Sequence, residues 1–209
     1  MEDVLEVYQR PCDPKRPVIC MDEQPIQLLD EAREKIPAKP GRPEKQDYEY
    51  QRNGVVCGFM FTEPLGQRRR ITITERRTKR DWAHQVQQLL EVDYPDAEKV
   101  ILVCDNLKTH VPGAFYETFP PERARALLNR LEIHYTPKHG SWLNIAELEL
   151  SALKRQCLQR RIPTIEILRE ETESWNRHRN QAQKGVDWQF TTTDARVKLK
   201  RLYPMILEN

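Results

Sequence analysis

Three acids, Asp22, Asp105 and Glu147, are the residues of this chain whose type and setting could do chemistry. Asp22 ends the apolar run Val18-Ile19-Cys20-Met21, and Asp105 ends Val100-Ile101-Leu102-Val103-Cys104. Glu147 falls on the apolar stripe of an amphipathic helix expected over residues 143–159. With Leu143 as origin and about 100° per residue, Glu147 stands at about +40°, inside the stripe. Glu149 stands at about −120°, at its edge or in solvent. A carboxylate at the mouth of a buried strand is costly unless it is paired or holds a cation. Three of them, on two strands and a helix, form a donor set for hard divalent cations bound through oxygen. Each acid also has an ordinary use: Asp105 can cap the next turn, Asp22 can serve a turn, and Glu147 can pair with a lysine or arginine.

The elements that must position these acids follow from periodicity. A short helix over residues 1–10 precedes a proline-rich segment and a buried strand at 18–21, with a bulge or short strand at 25–29. Three prolines and a glycine make 36–47 a loop. Runs at 55–61 and 70–74 predict a hairpin turning around Glu63-Pro64-Leu65-Gly66. A helix over 79–92, the strand 100–104, a helix over 121–131 and a short strand at 133–135 come next. Helices at 143–159, 164–180 and 193–202 close the chain. This order predicts an α/β fold, a mixed sheet flanked by helices, in which functional side chains gather outside strand ends.

With 209 residues, 32% charged and 38% apolar, the chain suits one domain, or one with a helical extension. A net charge of +2 permits nucleic-acid binding without demanding it. No run approaches the ~18 apolar residues of a membrane span, and the acidic start Met1-Glu2-Asp3 is unlike a secretory signal. The five cysteines include no C-x-x-C pair and read as buried thiols of a reduced compartment.

Three blocks occur in order: Val18-Ile19-Cys20-Met21-Asp22-Glu23, then Leu102-Val103-Cys104-Asp105-Asn106-Leu107-Lys108-Thr109-His110, then Tyr135-Thr136-Pro137-Lys138-His139-Gly140-Ser141-Trp142-Leu143-Asn144-Ile145-Ala146-Glu147. Together they resemble the DDE transposases of the bacterial insertion-sequence branch of the mariner superfamily, over residues 15–203. The resemblance implies an RNase H-like fold, a mixed five-stranded sheet flanked by helices. It implies a lead-in over 1–17, a catalytic domain over 18–160, and a C-terminal helical extension of the same domain over 161–209. It further implies cleavage of phosphodiester bonds at element ends and joining of the 3′-hydroxyl to target DNA, with two Mg²⁺ or Mn²⁺ ions on Asp22, Asp105 and Glu147.

The partners implied are transposon ends and target DNA, a second copy of the chain on that DNA, and no membrane. The setting implied is the bacterial cytoplasm, at the nucleoid. Relatives usually carry an N-terminal helix-turn-helix region, so the resemblance covers a catalytic half and allows a separate helix-turn-helix-bearing chain. The interval between Asp105 and Glu147 is longer than in mariner-like members, and the excess is assigned to a surface insertion over 117–125. Two other uses stay open: another RNase H-like endonuclease or resolvase, and a truncated, non-catalytic DNA-binding or dimerising regulator.

Around the triad, Asn106, His110 and Asn144 are auxiliary candidates, with a structural hydrogen bond in the turn as the competing role for His110. Lys138 and His139 are candidate backbone contacts or simply an exposed loop. Trp142 is a base-stacking platform or a core anchor. Among basic clusters at 68–80, 154–161 and 196–201, the residues singled out for phosphate contact are Arg76, Arg77, Arg80, Lys154 and Arg155.

Overall fold

Alternating apolar side chains along the strands build a sheet with both faces covered. The computed structural model describes residues 1–33, 37–43, 48–138, 140–183 and 185–203. Strands β1 (Val18–Glu31), β2 (Tyr50–Glu63), β3 (Arg68–Thr74), β4 (Val100–Cys104) and β5 (Leu131–Tyr135) form one sheet in the order β3-β2-β1-β4-β5. The β1–β2 and β2–β3 pairs are antiparallel; β1–β4 and β4–β5 are parallel. The helices are α1 (Glu2–Tyr8), α2 (Lys79–Gln88), α3 (Gly113–Tyr116), α4 (Pro121–Asn129), α5 (Ala146–Gln156), α6 (Ile165–Gln181) and α7 (Thr192–Lys198).

One face of the sheet presents Cys20, Met60, Ile71, Ile73, Ile101 and Val103 to apolar residues of α1, α5, α6 and α7. The other presents Ile19, Met21, Phe59, Phe61, Leu102 and Cys104 to α2, α3 and α4. Side chains one apart on a strand therefore enter different cores. Helix starts carry the expected chemistry. Thr78 and Asp81 form a reciprocal capping box on α2, Thr191 and Asp194 another on α7, and the Thr164 hydroxyl accepts from the Ile167 amide on α6.

Two elements depart from the sequence expectation. The strand expected at 18–21 runs on to Glu31 and absorbs the segment 25–29, with an irregularity in register between Gln27 and Leu29. Beyond Cys20, β1 pairs only with β2, an edge position where Pro25 is tolerated. The helix expected from Leu143 begins at Ala146 instead, after a 3₁₀ turn over Ser141–Leu143 and an extended Asn144 at φ −84° and ψ 107°. The segment 117–125 joins α3 to α4 and opens α4, with Phe119 packed on Phe115. Part of the loop expected at 36–47 lies outside the described residues. Cys12 is exposed and Cys20, Cys57, Cys104 and Cys157 are buried free thiols. Among the described residues no helix is long and apolar enough to cross a membrane.

Candidate metal and nucleic-acid site

The parallel pairing of β1 and β4 sets Cys20 opposite Val103. Two residues further along each strand's course come Asp22 and Asp105, so the two acids leave neighbouring strands at one level. Glu147 lies in the first turn of α5. Asp22 and Glu147 line the same open cleft, of about 250 Å³, together with Glu23, Gln24, Leu150, Ser151 and Lys154. Asn144 makes this possible. Its buried amide donates to the Met21 carbonyl at 2.8 Å, and its oxygen accepts from the Ala146 amide at 3.2 Å. One side chain thus fixes the start of α5 against the strand residue that precedes Asp22. Replacing Asn144 by alanine is expected to cost about 1–3 kcal/mol of stability, because it orphans a buried carbonyl; urea denaturation reads it, and an unchanged midpoint would deny Asn144 this role.

Charge accumulates at the cleft. Burial, with Asp105, Glu147 and Glu23 adding repulsion, pushes the Asp22 carboxyl up to about 6, although the Glu23 amide donates to it at 2.8 Å. His110 is fully buried, with Nδ1 2.7 Å from an Asp105 carboxylate oxygen and Nε2 2.8 Å from Glu23 Oε1. Burial works against a charged ring there. Hydrogen bonds to Asp105, Cys104 and Glu23 outweigh it and hold the His110 pKa up at about 12. Among the described residues no three acidic, histidine or cysteine side chains converge as a finished metal cage.

The sequence profile of the DDE superfamily endonucleases matches residues 17–169, a span containing all three acids. The chain belongs to that family. Comparison with curated proteins finds no significant relative. Among solved structures, the fold of this DDE endonuclease domain is similar to that of the Mos1 strand transfer complex, at 17% identity and TM-score 0.56, over 83% of this chain and 50% of that one. It is also similar to the Mos1 mariner paired-end complex with Mn, at 18% identity and TM-score 0.56, over 86% and 54%. A Mos1 transposase paired-end complex with the left transposon end matches at 17% identity and TM-score 0.55, over 87% and 56%. The chain spans about half the length of these Mos1 chains. At such identities the likeness is one of fold: the mixed five-stranded sheet flanked by helices is the RNase H-like arrangement.

Within this DDE domain the other candidate residues separate into groups. Glu149, expected at the helix edge or in solvent, is instead 2% exposed, between Arg69 at 3.3 Å and Arg179 at 3.0 Å. Glu147 is the partly exposed one. Of the cluster at 68–80, the first three arginines serve the fold. Arg68 and Arg70 reach the Asp93 carboxylate, and Arg69 reaches Glu149. Arg76, Arg77 and Arg80 are exposed, as are Lys154 and Arg155. Lys154 lines the cleft beside Glu147. Asn106 and Lys138 are exposed, and His139 lies outside the described residues. Trp142 is 44% exposed and packs edge-on to Phe190, so it is neither fully a core anchor nor free of the core. Sequence reasoning missed Glu23. The signal available was strand alternation: once β1 continues past Asp22, the next acid must enter the opposite core beside Met21.

Proposed function

We propose that this DDE endonuclease domain is the catalytic part of a DNA transposase that cleaves phosphodiester bonds at element ends and joins the 3′-hydroxyl to target DNA. The observation that carries the reading is the position of Asp22 and Asp105 at one level of two parallel strands, with Glu147 sharing a cleft with Asp22. The donor set fits Mg²⁺ or Mn²⁺, since it is all hard oxygen, and burial together with three neighbouring carboxylates disfavours a charge on Asp22 that a bound cation would compensate. Two such ions, when bound, would activate an oxygen nucleophile and stabilise the leaving oxygen. Asp22, whose carboxyl feels both other acids, would hold the metal together with Asp105 and Glu147. Lys154 beside the cleft is suited to a strand phosphate, and Arg76, Arg77, Arg80 and Arg155 to the DNA backbone further out. As chemistry, water attacks phosphorus and the P–O bond to the 3′ oxygen breaks; the freed hydroxyl then attacks a target phosphodiester, releasing another 3′-hydroxyl. The Mos1 neighbours are transposase complexes, one of them with Mn, which supports the same assignment here. Assembly as two copies on DNA, with or without a separate helix-turn-helix chain, belongs to this proposal.

The test is nicking of labelled plasmid DNA in Mn²⁺, wild type beside Asp105→Ala, with a precleaved 3′-hydroxyl end added to read joining. Loss of nicking by about 10²–10³-fold or more in the variant is expected. Undiminished nicking in Asp105→Ala would sink the triad, and nicking without joining would favour a resolvase-like endonuclease. Backbone contact has its own measure. Arg77→Ala is expected to weaken DNA binding across sequences and to lower the salt slope by about one; an unchanged slope removes Arg77 from the interface.

A further inference from the structure

The cleft wall, which Glu23 shares with Asp22, is backed by an arrangement that the three acids do not explain. Glu23 follows Asp22 and points into the opposite core, where its side chain is 2% exposed. There its Oε1 meets His110 Nε2 at 2.8 Å. The His110 ring is clamped as well, stacked on Trp82 with centroids 5.4 Å apart and 27° between planes. Its backbone is held too, with Tyr135 Oη donating to the His110 carbonyl at 2.6 Å. From that fixed position His110 Nδ1 is hydrogen-bonded to the Asp105 carbonyl at 3.2 Å and stands 2.7 Å from Asp105 Oδ1, a charge contact without hydrogen-bond alignment. A continuous chain of contacts therefore runs from β1 through the ring to the end of β4.

This chain is expensive. Glu23 Oε2 is buried with no hydrogen-bond partner, and a buried carboxylate oxygen left unsatisfied costs free energy that an apolar residue would not. Departures of this kind concentrate where a group must be positioned. We propose that Glu23 is a positioning residue: it holds His110, and His110 holds the Asp105 carboxylate by one oxygen, leaving the other for a divalent ion. The inference rests on the reading of Asp105 as a metal ligand. It extends that reading to a brace that reaches from the cleft wall into the opposite core, of the kind that orients ligands in metal sites.

The experiment is a Mn²⁺ titration of the full chain, followed by paramagnetic resonance of free Mn²⁺, for wild type, Glu23→Ala, Glu23→Gln and Asp105→Ala. Thermal melts of each protein accompany it. Glu23→Ala is expected to weaken Mn²⁺ binding by about 10–100-fold. Glu23→Gln, which keeps an acceptor for the ring, is expected to recover most of that loss. Wild-type affinity in Glu23→Ala, with binding lost in Asp105→Ala, overturns the brace and leaves the site intact. No binding by wild type, or full binding by Asp105→Ala, overturns the site and the brace with it. Should Glu23→Ala melt below the assay temperature, the wild-type chain decides alone. Its His110 ring nitrogen resonances are expected to move as Mg²⁺ is added, and resonances that stay fixed overturn the proposal.

Discussion

Glu149→Ala is expected to remove about 3–5 kcal/mol of stability, the cost of breaking a buried ion pair by taking one partner away. Glu149 is the shared anion of two arginines. Its carboxylate accepts from Arg179 at 3.0 and 3.1 Å and stands 3.3 Å from Arg69, whose side chain is 1% exposed. The arginines are themselves tied together, Arg69 Nη1 donating to the Arg179 carbonyl at 2.8 Å. Asn180 next door exchanges two hydrogen bonds with the Arg69 backbone, both at 2.9 Å. Without the carboxylate, two guanidinium groups remain close in a dry setting. Burial already pulls the Arg69 pKa down, with Glu149 opposing and Arg179 reinforcing that fall. Since small domains hold about 5–15 kcal/mol in total, the loss is a large share and shows directly in urea denaturation. The same carboxylate ties α5 to β3 and α6, so the variant should also loosen the helix that carries Glu147. A midpoint unmoved by the substitution would show that the ion cluster is not what fixes α5.

The second large effect has the opposite sign. Asp22→Asn is expected to stabilise the metal-free protein at pH 7, by about 2–3 kcal/mol at most. The Asp22 carboxyl is pushed up to about 6 in the fold, above its ordinary value of 3.8. A folded pKa above the unfolded one means that the native state binds the proton more tightly. Its contribution to stability is therefore complete below about pH 4 and lost as the pH rises to about 6. The asparagine has nothing to ionise, and this slope should vanish from its pH–stability profile. Divalent ions should reverse the ranking. Wild type gains stability with added Mn²⁺, about 2.7 kcal/mol when the ion is at 100 times its dissociation constant, and the asparagine variant gains little. Thermal melts with and without Mn²⁺ at several pH values measure all of this. An Asp22→Asn protein that melts lower than wild type in metal-free buffer at pH 7 would mark Asp22 as a structural group.

Asp22 and Asp105 were legible because apolar runs stop at them, although only Asp105 marks a strand end, Asp22 lying within β1. The two-core alternation was less legible. Pro25 reads as a strand breaker, yet β1 passes through it because one side of the strand has no neighbour there. That misreading hid Glu23, which counts as a buried residue only if the strand continues. Glu149 was misplaced for a related reason. Leu143 and Leu158 drew the apolar stripe toward Glu147, but both lie outside α5. From Ala146 onward the buried positions are Ala146, Glu149, Leu150, Ala152 and Leu153, which centre the stripe near Glu149. The break that shifts the wheel is made by the Asn144 side chain reaching Met21, a long-range contact that no local pattern records. The charged clusters were the hardest to read: only the fold separates Arg69 and Arg70, committed to Glu149 and Asp93, from the exposed Arg76 and Arg77.

The order of strands in the sheet also has a kinetic meaning. The β1–β2–β3 meander pairs strands that follow one another in sequence, whereas β1 meets β4 only after α2 has crossed over the sheet. Closing such a distant parallel pair comes at a higher entropic barrier than local pairing. Asp22 belongs to the meander, whereas Asp105 and Glu147 reach it only through contacts distant in sequence. The proposed donor set is therefore complete only when these distant contacts have formed.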